Sequence, residues 1–177
     1  LTDKYQVPLF ILTDQYFLES KHNVKDFDVS IVLDQHYIVQ TGHDYKRYAI
    51  TDSGISPRGI PGFGHGKVRV DSDEHDEDGF ITEDASMRTA MVEKRLKKLG
   101  ALKEEILPPT LVGPQDYQYL VVGWGSTYHA ITEALEMLDR NDVAFLHFSQ
   151  LYPLAPSTAD YLNRARKKII IESNATG

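Results

Sequence analysis

The stretch with the clearest chemical potential in this 177-residue chain is Gly123-Trp-Gly-Ser-Thr127. It follows the apolar run Leu120–Val122 and precedes a helical stripe at Ile131, Ala134, Leu135 and Leu138. Gly123 and Gly125 permit a tight turn and close backbone approach, and Ser126 is expected to cap the helix. Free backbone N–H groups at such a corner can hold an anion or a partner's backbone. Known motifs narrow the chemistry. A dinucleotide fingerprint wants a third glycine where Tyr128 stands, and an acid after the second strand, which ends Leu146-His-Phe148. No Gly-x-x-x-x-Gly-Lys occurs, and the spacing around Ser126 is not that of a nucleophile elbow. The acidic run Asp71–Asp78 fails as a calcium loop. With Gly79 at the sixth position, Glu74, Asp76 and Asp78 fall correctly, but position twelve is Ala85. A solvated acidic turn is the reading there, with His65 and His75 as polar surface groups.

The elements that must position the corner follow from periodicity. Residues 118–177 read β-α-β-α-β: a strand at Leu120–Val122, a helix, a buried strand Val143–Phe148, a helix capped by Ser157 or Thr158, and a strand Lys168–Glu172. Short connections in that order imply right-handed crossovers and a parallel sheet covered on both faces. Upstream, Val7–Leu12 is expected to be a strand. Thr13-Asp14 is expected to cap the segment Gln15–His22. Phe27–Ile50 reads as extended connecting structure, with apolar patches at Val29–Leu33 and Tyr37–Val39. Six glycines between Gly54 and Gly79, with Pro57 and Pro61, exclude regular elements over most of that span. Thr82–Leu99 is expected to be a helix capped by Thr82, apolar along Val92, Leu96 and Leu99, and stopped by Gly100. Leu107-Pro-Pro and Val112-Gly-Pro mark an irregular passage.

Composition bounds the rest. A hydrophobic content of 41% suffices for one α/β domain, or one and part of another. A net charge of −7 argues against a sequence-independent grip on nucleic acid or an anionic membrane. Absent cysteines exclude disulfides and thiolate-held metal clusters within this chain. With no bilayer-length apolar run and no signal-peptide pattern, a soluble intracellular protein is expected. The ends, without an initial Met and with a strand exit at the close, read as those of a piece of a longer polypeptide.

Six stretches in order carry a resemblance. They are Leu9-Phe-Ile-Leu-Thr-Asp-Gln-Tyr16; Tyr45-Lys-Arg-Tyr48 with Asp52–Arg58 and Ile60-Pro-Gly62; Glu74–Gly79 with Arg88 and Met91–Arg95; Val122–Thr127; His147–Pro153; and Ile171–Gly177. Over essentially the whole chain, this order resembles the alpha subunit of 2-oxoacid:ferredoxin oxidoreductases of the 2-oxoglutarate or branched-chain type. The resemblance implies a thiamine diphosphate-dependent complex that decarboxylates a 2-oxoacid oxidatively, passes electrons to ferredoxin and forms an acyl-coenzyme A. It implies the end of a pyrimidine-binding domain at 1–28, a connector at 29–115 and an incomplete transketolase C-terminal-like domain at 116–177. It also implies a diphosphate site shared with a beta subunit and an iron–sulfur cluster in a partner chain; the location expected from composition is cytoplasmic. The family's upstream thiamine-activating residues are outside this sequence, so the chain alone is expected to be inactive.

Within that frame, the candidates for a substrate or coenzyme A cleft, or for an interface, are Ser56, Arg58, Gly123, Gly125, Ser126 and Thr127. Arg58 is suited to a bidentate grip on a carboxylate or phosphate, or equally to tying its loop to its own domain. Asp14 and Gln15 are interface candidates. No residue is expected to be catalytic and none to hold a metal. A free-standing anion-binding, nucleotide-binding or interaction domain is the alternative.

Overall fold

The computed structural model describes residues 1–31 and 36–174; part of the Val29–Leu33 patch and the last three residues of the Ile171–Gly177 motif fall outside them. The chain forms two compact units. One comprises Leu1–Phe10 with Val24–Leu102, the other Ile11–Asn23 with Lys103–Gly177.

In the first unit, helix α1 (Thr2–Tyr5) and the long helix α3 (Ala85–Lys103) flank a connector with little ladder structure. Isolated bridges Ile38↔Arg58, Thr41↔Gly64 and His75↔Ile81 stand where the glycine-rich span was expected to lack regular elements. α3 departs from the sequence reading in three ways. Asp84, rather than Thr82, closes its first turn, its Oδ1 accepting the Met87 N–H at 2.7 Å. The helix passes through Gly100 to Lys103, so one exposed glycine costs less than the turn gains. The buried side is Met91 and Lys94, while Leu96 is 64% exposed. The face is set by what lies across it. Lys94 Nζ donates to the Tyr48 carbonyl at 2.8 Å, Lys98 Nζ to the Gln6 carbonyl at 3.1 Å, and Tyr5 Oη to the Ala101 carbonyl at 3.2 Å.

The acidic run is more than a solvated turn. Asp76 Oδ1 accepts from the Asp78 and Phe80 amides at 3.0 and 2.9 Å. Glu77 accepts the Ile50 N–H at 2.9 Å and pairs with Lys46 at 3.2 Å. Glu74 meets the Arg95 guanidinium through both of its oxygens. Carboxylates thus staple a segment too rich in glycine to hold itself by packing.

The second unit is a four-stranded sheet in the order β1-β3-β2-β4, with strands Thr110–Val112, Tyr119–Trp124, Val143–Phe148 and Lys167–Ile170. β2 pairs parallel with β3 and with β4, as the β-α-β-α-β alternation requires. β1 runs antiparallel along the β3 edge, from Thr110↔His147 to Val112↔Phe145. The sequence reading left this stretch irregular because prolines flank it and the strand is only three residues long.

Helix α4 (Thr127–Leu138) covers one face, its Ile131, Tyr128 and Leu135 meeting Val121, Val143 and Phe145. Helix α5 (Thr158–Arg164) covers the other, where Tyr161 and Leu162 meet Leu120, Val122, Ala144, Leu146 and Phe148. Leu120, Ala144, Phe145 and Leu146 are fully buried. Each of the larger ones contributes about 1.5–3 kcal/mol on area alone. This is the three-layer α/β architecture expected, with an antiparallel edge strand added.

Val7–Leu12 is not a strand: no ladder forms there, and Phe10, Ile11 and Leu12 are exposed. The run has β-compatible residues but no sheet beside it, and a strand is stable only when paired. Helix α2 (Gln15–Glu19) follows, capped as expected by Asp14, whose Oδ1 accepts the Phe17 N–H at 2.8 Å.

Candidate functional site

Adjacent parallel strands β2 and β3 send their chains to opposite faces, β2 into α4 and β3 into α5. At such a switch point the two exit loops separate and leave a crevice beyond the strands' carboxyl ends, where open α/β sheets bind ligands. The Gly123–Thr127 corner is the exit of β2 at that switch point.

Each residue of the corner has a geometric reason. A Cβ on Gly123 would come within 2.7 Å of Ile131 Cδ1 and 2.9 Å of Thr127 Oγ1, so a side chain there would force those side chains of α4 to shift. Gly125 has φ +55°, the left-handed conformation that turns the strand into the helix. Thr127 Oγ1 donates to the Trp124 carbonyl at 2.7 Å and closes the turn.

Ser126 corrects an expectation. It stands at the N-cap position, but its hydroxyl makes no cap bond, because its backbone is helical rather than extended. The hydroxyl instead donates to Asp14 Oδ2. Together with the Phe17 N–H, which is the lesser cause, the Ser126 hydroxyl holds the Asp14 carboxyl below its ordinary value. One turn along, His129 stacks with His22, ring centroids 6.1 Å apart. Gln15 Nε2 is engaged within α2, donating to Glu19 Oε1 at 2.9 Å.

His147 was not foreseen. It pairs in register with Gly123 on β3, and its ring lies edge-on to Tyr128 at 4.8 Å. Its Nε2 is buried with no hydrogen-bond partner among the described residues. Burial pushes the imidazole below its ordinary value, with the Gly125 backbone opposing the shift. The available signal was a lone histidine inside the apolar run Val143–Phe148, where an unpartnered polar group is costly.

The structure brings Asp14, Gly123, Gly125, Ser126 and Thr127 together in the second unit, while Ser56 and Arg58 belong to the first. Ser56 is buried, its Oγ donating to the Ala49 carbonyl at 2.9 Å and its carbonyl accepting Gln6 Nε2 at 2.7 Å. Arg58 Nη1 pairs with Asp3 Oδ1 at 2.5 Å, and its carbonyl accepts the Val39 N–H at 2.9 Å. Both residues are therefore engaged inside their own unit. Among the described residues, no three histidines or carboxylates converge on a position for a cation.

No protein-family model matches the chain. Individual relatives do. The chain is 31% identical over 182 residues to "2-oxoacid:ferredoxin oxidoreductase 1, subunit alpha" of Sulfurisphaera tokodaii, covering 98% of this chain and 28% of that protein. It is 33% identical over 186 residues to "2-oxoacid:ferredoxin oxidoreductase 2, subunit alpha" of Aeropyrum pernix, covering 99% and 28%. Among solved structures it is similar to the 2-oxoglutarate:ferredoxin oxidoreductase of Magnetococcus marinus with 2-oxoglutarate, coenzyme A and succinyl-CoA bound. There the TM-score is 0.68 and the identity 28%, over 75% of this chain and 24% of that one. The chain thus spans under a third of the length of the curated relatives it matches. By agreement along nearly all of its own sequence and by fold, it belongs to the alpha subunits of the 2-oxoacid:ferredoxin oxidoreductases.

Proposed function

We propose that this chain serves in a complex that oxidatively decarboxylates a 2-oxoacid, delivers electrons to ferredoxin and forms the acyl-coenzyme A, its own part being assembly and cleft formation. The observation that carries the reading is the whole-chain match to alpha subunits at 31–33% identity, joined to a structural neighbour bound to a 2-oxoacid, coenzyme A and their acyl product. In this reading residues 116–177 form a transketolase C-terminal-like domain, 29–115 a connector, and 1–28 the end of a pyrimidine-binding domain. The exposed, unpaired run Leu9–Leu12 supports the last assignment, since four consecutive apolar residues suit a strand that joins a sheet edge-on and is covered on both faces.

Thiamine diphosphate, when bound, supplies the carbanion chemistry. Among the described residues, no three histidines or carboxylates converge to hold the cation of a cation-bridged diphosphate. In this proposal the cofactor sits at a site shared with a beta subunit and the iron–sulfur cluster in a partner chain; these 177 residues contain no cysteine. What this chain contributes is the crevice wall: the Gly125–Thr127 turn as a surface for an anionic group, with His147 behind it. A cytoplasmic location is part of this proposal; the described helices include none long and apolar enough to cross a membrane.

Reconstitution tests the proposal. Co-expressed with the rest of its subunit and a cysteine-bearing beta chain, the protein is expected to support 2-oxoacid- and coenzyme A-dependent reduction of ferredoxin, and alone to show none. Turnover by the isolated chain, or an active complex formed without it, would overturn the proposal.

A further inference from the structure

Residues 11–23 belong by contact to the second unit, although the chain on both sides of them belongs to the first. What holds this segment there is polar. Asp14 uses one carboxylate oxygen to cap α2 and the other to accept from Ser126, and His22 stacks on His129. Both partners lie on the first turn of α4, beside the crevice. Its apolar side chains add little: Ile11, Leu12, Tyr16, Phe17 and Leu18 are each at least 64% exposed. A short segment with irregular ends and exposed apolar side chains opens locally at small free-energy cost.

We propose that Asp14–His22 is a strap latched to the α4 N-terminus through Ser126 and His129, and that its release frees the Ser126 hydroxyl at a corner where Gly125 is already exposed. The latch is built so that Ser126 forgoes the cap its position invites. An ordinary cap would secure α4 but leave the strap unattached.

Limited trypsin digestion of the chain reads the strap directly, because Lys21 is exposed within it. Ser126→Ala with His129→Ala is expected to speed cleavage after Lys21 by about three- to tenfold, the range of one or two modest contacts. Cleavage elsewhere and the melting temperature should stay unchanged. Ser126→Thr, which keeps the hydroxyl, should restore slow cleavage. An unchanged rate after Lys21 overturns the proposal. So does an acceleration spread evenly over all sites, which reports global opening rather than a strap. These readouts require no turnover, so they stand or fall apart from the oxidoreductase assignment.

Discussion

Lys94 shows how one side chain is decided by its surroundings rather than its type. It is buried in the first unit, its ammonium donating to the Tyr48 carbonyl. Burial lowers it to about 8, with Lys98, Arg47 and Arg95 adding to the effect and Glu77 opposing it. The sign of the pH dependence follows. An unfolded lysine keeps its proton to about pH 10.4. Between about pH 8 and that value the unfolded chain therefore binds one more proton than the folded one, and stability rises with pH. Below about pH 8 both states carry the charge, and the fold bears the cost of burying it. Lys94→Met is expected to flatten this rise. Urea melts of the two proteins at about pH 7 and about pH 9.5 check it, the wild type gaining more between the two conditions.

At the scale of elements, α3 and the edge strands show where local pattern and final structure part. Helix α3 carries its strongest local signal at Asp84, whose carboxylate takes the Met87 N–H. Asp84→Ala should cost about 1 kcal/mol, the usual value of an N-cap. Denaturant melts followed by circular dichroism at the helical band read that loss. The strands β2 and β3 were legible because Leu120–Val122 and Val143–Phe148 are apolar runs of strand length between turn signals. β1 was not, since Thr110–Val112 is short and earns its place only by pairing with β3. The same rule, inverted, explains Leu9–Leu12. Strand-forming residues are necessary for a ladder, but the neighbour that completes it must be present.

For the molecule as a whole, the surface of residues 9–29 is the outstanding feature. Phe10, Ile11 and Phe27 are each more than 80% exposed, and Leu12, Val24 and Val29 at least 70%. Apolar side chains clustered in sequence and left uncovered mark a surface that another body covers. The isolated chain is therefore expected to self-associate with rising concentration, and Phe10→Ser with Ile11→Ser to suppress this. Sedimentation velocity across a concentration series distinguishes the two. Unaltered association in the double variant would place the sticky surface elsewhere.

Sequence alone determined the β-α-β-α-β order of the last sixty residues, the glycine-dictated turn at Gly123–Gly125 and, through six motifs in series, the family. These depend on periods and spacings carried by neighbouring residues. Tertiary structure alone decided that α3 buries Lys94 instead of Leu96, that an antiparallel strand borders β3, that Ser126 serves Asp14 rather than its own helix, and that His147 packs edge-on against Tyr128. Each of these is a contact between residues remote in sequence. Its free energy depends on which groups the completed fold brings within a few ångströms, and no local pattern encodes that.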